Sequence, residues 1–123
     1  MFDYKPYIVS LSKFMAENGY TVRPFPKIIL SKKKQEGVFI STGYYDPEER
    51  TITVFINDRH PKDVLRSVAH ELIHHKQTEE GLLTPEISRT EQRLENSAIR
   101  PLEEEAYLNG NIAFRMWTES FEQ

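Results

Sequence analysis

Apolar residues recur at helical spacing over residues 5–18, where Tyr7, Ile8, Leu11, Phe14 and Met15 share one side and Asn18-Gly19 offers a stop. "PFPKIILS", 24–31, reads as a short strand behind two prolines, and "GVFIST", 37–42, as a second. "GYYDPEER", 43–50, supplies turn chemistry through Asp46-Pro47. The clearest strand is "RTITVFIND", 50–58, in which Ile52, Val54 and Ile56 alternate onto one face, so 37–57 is expected to form an antiparallel hairpin. A helix begins near Pro61, a residue suited to the first helical position, and runs to about Gln77. Residues 78–99 are polar and predict a partly helical connection in which Thr84-Pro85 caps a short helix. A last helix begins near Pro101 and reaches Met116 or beyond, although Asn109-Gly110 inside it is a turn signal. The predicted order is helix, strands, helix, connection, helix: an α+β chain, one domain over residues 1–123.

Charge and composition narrow the function classes. A net charge of −3 argues against binding to nucleic acid, and the one basic run, "SKKK" at 31–34, fits a solvated turn. There is no cysteine, so any metal must be held by histidine and carboxylate. The start, "MFDYKPYIVSLSKF", lacks the long apolar stretch of a signal peptide, and no run has the length of a membrane span. The expectation is a cytoplasmic protein with no membrane or nucleic-acid partner; the oligomeric state is left open.

The chemistry concentrates in "RSVAHELIHHKQ", residues 66–77, which holds three of the four histidines. On a helical wheel Val64, Leu65, Val68, Ala69, Leu72 and Ile73 fill one half, while His70 and His74 project from the other with Glu71 toward its edge. His70 and His74 are four apart, so both imidazoles can reach one ion. The pattern is His-Glu-x-x-His, which suits zinc held by two imidazoles, with Glu71 as the general base that deprotonates a zinc-bound water. A polar helix face with incidental histidines is the alternative. His75 points beside the apolar half and is expected to pack there.

A third ligand must be a carboxylate. The run "PLEEEAYLNG", 101–110, offers Glu103, Glu104 and Glu105. With Leu102, Ala106, Ile112, Ala113, Met116 and Trp117 taken as the apolar face, Glu105 and Asn109 point into it, Glu104 points away and Glu103 lies on the far margin. A carboxylate among apolar neighbours needs a partner, and this selects Glu105 as ligand, with Glu103 as the runner-up. Asn109 would orient a ligand from behind, and Gly110 would allow the two helices to approach closely. One Zn2+ per chain is expected.

His70-Glu71-x-x-His74 followed by a glutamate on a second helix resembles the gluzincin class of zinc metallopeptidases. "EEAYLN", 104–109, is similar to that class's ligand segment, which maps the ligand to Glu105 and the supporting position to Asn109. The compact layout resembles the minigluzincins, and the pairing of "HELIHHKQ" with "PLEEEAY" resembles small phage-encoded peptidases, which implies a phage or prokaryotic origin. The resemblance covers about residues 37–117 and implies a zincin-like fold, a peptide or protein substrate, and a substrate-binding edge strand at Ile52, Thr53, Val54 and Phe55. Larger gluzincins bring an oxyanion-steadying His or Tyr from a C-terminal domain that has no counterpart here; His60, Tyr44, Tyr45 and Tyr107 are the candidates. The competing function is a zinc-containing binding or assembly module with a blocked cleft, against which an intact Glu71 argues, since structural zinc needs no base.

Overall fold

The computed structural model of the protein describes residues 2–34, 42–91 and 98–121. Helix α1 spans Lys5–Glu17 and buries Leu11 and Met15 completely. Three strands follow, β1 (Lys27–Ser31), β2 (Gly43–Asp46) and β3 (Thr51–Phe55), then helices α2 (Pro61–Glu79), α3 (Pro85–Glu91) and α4 (Ile99–Ser120). Among the described residues this is a small α+β fold of four helices and one mixed three-stranded sheet, with no helix long and apolar enough to cross a membrane.

The sheet order is β1-β3-β2. β3 runs parallel to β1, with Ile28 opposite Ile52, and antiparallel to β2, with Tyr45 opposite Ile52. This corrects two expectations. Residues 43–46 are a strand and not part of the turn, because the Asp46 carboxylate accepts from the amides of Glu48 at 3.0 Å and Glu49 at 3.3 Å, which starts the turn only after Asp46. The hairpin partner of β3 is therefore Gly43–Asp46; residues 37–41 of the strand expected at 37–42 lie outside the described residues. The second correction concerns Ile52, Thr53, Val54 and Phe55. They form the central strand, whose two edges are already paired to β1 and β2, so they are not available to a substrate backbone. Among the described residues, β2 is the outer strand on this side of the sheet.

α2 is the element on which the rest is assembled, packing against β2, β3, α1 and α4. His60 caps it, its Nδ1 accepting from the Lys62 amide at 3.0 Å, and Pro61 follows as the first residue. Val64, Val68, Leu72 and Ile73 are fully buried, joining Ile52 and Val54 of β3 and Ala106 and Ala113 of α4. α3 is capped by Thr84, whose hydroxyl accepts from the Ile87 amide at 3.2 Å. α4 runs through Asn109-Gly110 without a break, and its far end is tied to α1 by Trp117 Nε1 donating to Ser10 Oγ at 3.0 Å.

The glycine that reads as a turn signal is instead a packing device. A Cβ at Gly110 would stand 2.9 Å from the Cα and 3.1 Å from the backbone nitrogen of His70, closer than carbon atoms tolerate. α4 thus presses its backbone onto α2 at one of the site histidines. Gly110→Ala gains roughly 1 kcal/mol of helix propensity but meets backbone that cannot rotate aside, and such overpacking costs roughly 1–3 kcal/mol. The expected outcome is a lower urea midpoint and weaker metal uptake. A variant as stable as the wild type would show that the two helices can part without loss.

Candidate metal centre

α2 and α4 run antiparallel, and the contact at Gly110 sets which of their residues meet. One turn along α2 from His70 stands His74; two turns back along α4 from Gly110 stands Glu103. Glu103 Oε1 lies in close contact with His74 Nε2 and 3.9 Å from His70 Nε2. The two imidazole centroids are 5.1 Å apart, edge to face. Glu71 comes from the same turn as His70, and donor atoms of His70, Glu71 and His74 all lie within 4.8 Å of one another. This His-Glu-His group could hold a metal ion. Ligands of a tetrahedral zinc with bonds of 2.0–2.1 Å stand roughly 3.3 Å apart, so the donors would draw together around an ion.

The structure brings Glu103, not Glu105, to the imidazoles. Glu105 lies on the flank of α4, its Oε1 accepting from Gln77 Nε2 at 2.7 Å and its Oε2 lying 3.3 Å from Lys76 Nζ. The physical reason is the choice of apolar face. Ile112 and Met116 are 41% and 44% exposed, whereas the buried stripe is Ile99, Ala106, Gly110, Ala113, Phe114 and Trp117. Counting the two exposed apolar residues as core rotates the wheel toward Glu105 and Asn109 and leaves Glu103 at the margin. The supporting place expected for Asn109 is taken by Gln77, a fully buried side chain whose Oε1 meets His74 Nδ1 at 2.9 Å.

Electrostatics separate the two carboxylates at the site. The imidazoles of His70 and His74 hold the Glu103 carboxyl far below the usual range, so it is a carboxylate at any pH of interest. Glu71 is 5% exposed, and burial pushes its pKa up, with the imidazoles of His74 and His70 opposing. The His74 imidazole is driven down by burial but raised further by Glu103 and Glu71, a net upward shift. A proton or a metal cation at Nε2 would satisfy Glu103 alike.

These groups open onto a cleft of about 690 Å³ whose walls include Thr42 to Tyr45 of the β2 edge, the α2 residues Asp63, Arg66 and Ser67, and Tyr107 and Asn111 of α4. Of the oxyanion candidates, His60 is occupied as the α2 cap and Tyr45 is buried against His75, while Tyr44 and Tyr107 line the cleft. The Tyr107 ring stands edge-on to His70 at 6.0 Å. His75 packs as expected: its Nε2–H donates to the Pro24 carbonyl at 2.7 Å and its Nδ1 accepts from the Tyr45 hydroxyl at 2.8 Å. One residue without a sequence signal is Arg59. Its Nη1 donates to the carbonyls of Thr42 at 3.1 Å and Phe55 at 2.7 Å, and its Nη2 to the Asp63 carbonyl at 3.0 Å and Ser67 Oγ at 2.7 Å, which fastens the β2 edge to the start of α2. An isolated Arg in a turn, with acceptors scattered from 42 to 67, leaves no local pattern to read.

Glu103→Gln keeps the shape of the side chain and removes its charge. Affinity for a divalent metal ion, read by chelator competition, is expected to fall at least ~10-fold, as for loss of a ligand or its immediate support, while exposed Glu104→Gln stays at the wild-type value. Equal affinities in the two variants would place the third ligand elsewhere. No family model, curated protein or solved structure matches this chain, and the donor group of His70, Glu71 and His74 is what a functional reading has to rest on.

Proposed function

We propose that the protein is a zinc-dependent metallopeptidase of zincin-like build, with zinc held by His70, His74 and Glu103 and with Glu71 as general base. The observation that carries the reading is Glu71: a carboxylate buried beside two convergent imidazoles, with its pKa raised, on the wall of an open cleft. A structural metal site has no use for an additional buried carboxylate, whereas a hydrolytic one needs a base whose pKa approaches the working pH. Zinc at this position would lower the pKa of a bound water to about 7 and polarise a carbonyl.

The chain's own residues supply the remainder. Glu71 accepts the proton of the attacking water and can pass it to the departing amine. Glu103 and the imidazoles of His70 and His74 would hold the cation on the wall of the cleft. A cleft of this size, with Thr42 to Tyr45 on one wall and Tyr107 and Asn111 of α4 on another, has room for an extended peptide as substrate. Thr42 to Tyr45 stand on the cleft wall, where Ile52–Phe55 were expected. Tyr107 and Tyr44, which line the cleft, are the candidates to donate to the oxygen of a tetrahedral intermediate.

Glu71→Gln tests the reading, since it keeps size and removes basicity. Zinc content and thermal midpoint are expected to match the wild type, while cleavage of unstructured peptides drops at least ~10²-fold. A chelator should abolish wild-type cleavage and zinc should restore it. Zinc-loaded wild type that cleaves nothing in a broad peptide library, with and without the residues after Trp117, would overturn the peptidase reading in favour of a metal-holding binding module.

A further inference from the structure

Gln77 is the most deeply buried polar side chain among the described residues. It is fully buried, three residues beyond His74, and all its hydrogen-bonding capacity toward protein is directed. Its Nε2 donates to the Leu102 carbonyl at 2.8 Å and to Glu105 Oε1 at 2.7 Å, and its Oε1 meets His74 Nδ1 at 2.9 Å. Carbonyl and carboxylate oxygens only accept, so the amide nitrogen must face α4 and the amide oxygen must face the histidine. An oxygen there requires Nδ1 to carry a proton. In the neutral imidazole the lone pair is then on Nε2, the nitrogen that faces Glu103 and His70.

We infer that Gln77 and Glu105 form a relay that fixes the His74 tautomer, so that Glu105 governs metal affinity without touching the metal. The inference rests on the metal centre proposed above and adds two positioning residues to it. Turning the Gln77 amide over would set its oxygen against the Leu102 carbonyl and the Glu105 carboxylate at once. Of these two acceptors the carboxylate is the stronger, because charge-assisted hydrogen bonds are shorter and roughly twice as strong. Glu105 is itself held, with its second oxygen toward Lys76 Nζ at 3.3 Å. The order of action is Lys76, Glu105, Gln77, His74, metal position. The same connection explains why a glutamate on the flank of α4 sits in a half-buried place beside a buried amide.

Three variants test the relay: Gln77→Met, which removes both amide functions; Glu105→Leu, which removes the acceptor; and Glu105→Gln, which keeps an acceptor oxygen and discards the charge. The probe is zinc alone, its affinity read by chelator competition, with the His74 Nδ1 proton followed by ring-nitrogen NMR of the zinc-loaded protein. Wild type is expected to show a slowly exchanging Nδ1 proton. Gln77→Met should weaken zinc ~10–100-fold and Glu105→Leu at least ~5-fold, with the Nδ1 proton lost to fast exchange, whereas Glu105→Gln should stay within about twofold and retain it. Glu105 lies at the edge of the helix pair, so its two variants decide the matter even where Gln77→Met fails to fold. Wild-type affinity and an unchanged Nδ1 proton in Glu105→Leu would overturn the relay. So would a loss in Glu105→Gln as large as in Glu105→Leu, which would mark Glu105 as a direct ligand. A wild type that takes up no zinc would overturn the metal reading itself and is distinguishable from both.

Discussion

The structure depends on how closely α4 approaches α2. With backbone against backbone at Gly110 and His70, the antiparallel register of the two helices is fixed, and every later contact along the seam follows from it. Phe114 receives the Arg66 guanidinium over its ring at 5.0 Å on one side of that point. On the other side Glu103 meets His74, and Glu105 meets Gln77. A bulkier residue at 110 would open the seam where the site is built, and interiors packed to crystal-like density transmit such a displacement rather than absorb it.

Glutamates in a single helix pair serve distinct ends because their surroundings differ. Glu71 is enclosed and resists ionisation; Glu103 faces two imidazoles and resists protonation. Glu105, with an amide on one oxygen and an ammonium group near the other, is directed away from the cleft altogether. Residue type alone says nothing of this division. It arises from burial on one side and from the charge and hydrogen-bond partners on the other.

Much of the fold was legible because α2 and β3 carry strong periodicity. Val64, Val68 and Leu72 mark the helix, and Ile52 and Val54 mark the strand, in a way that no competing local signal disturbs. The His70–Glu71–His74 group was legible for the same reason, since spacing along one helix is geometry already. What failed to show was information held between elements. Gly43–Asp46 has the composition of a turn and becomes a strand only through pairing with β3. That β3 is central depends on β1 joining its other edge in parallel, a pairing no local pattern encodes. Glu103 stood only second to Glu105 because Ile112 and Met116 are apolar yet exposed, and a wheel weighs them as though they were core. Gln77 was hidden because an amide at the end of a polar helix turn looks solvated until α4 covers it.

Three histidines crowd into six residues of α2, and an ion offered such a stretch has more than one way to settle. His75 is removed from that competition. One of its ring nitrogens is committed to the Pro24 carbonyl and the other to the Tyr45 hydroxyl, and burial lowers its pKa. Both ring nitrogens are thereby closed to a cation, Nε2 by its proton and Nδ1 by the hydroxyl it accepts from. Loosening either bond, by Tyr45→Phe for instance, would create an ambiguous chelator in which ions of differing geometric preference could select differing donor pairs. The fold thereby exerts selection at a residue turned away from the cleft: by silencing His75 it leaves His70 and His74 as the imidazoles of α2 that face one another.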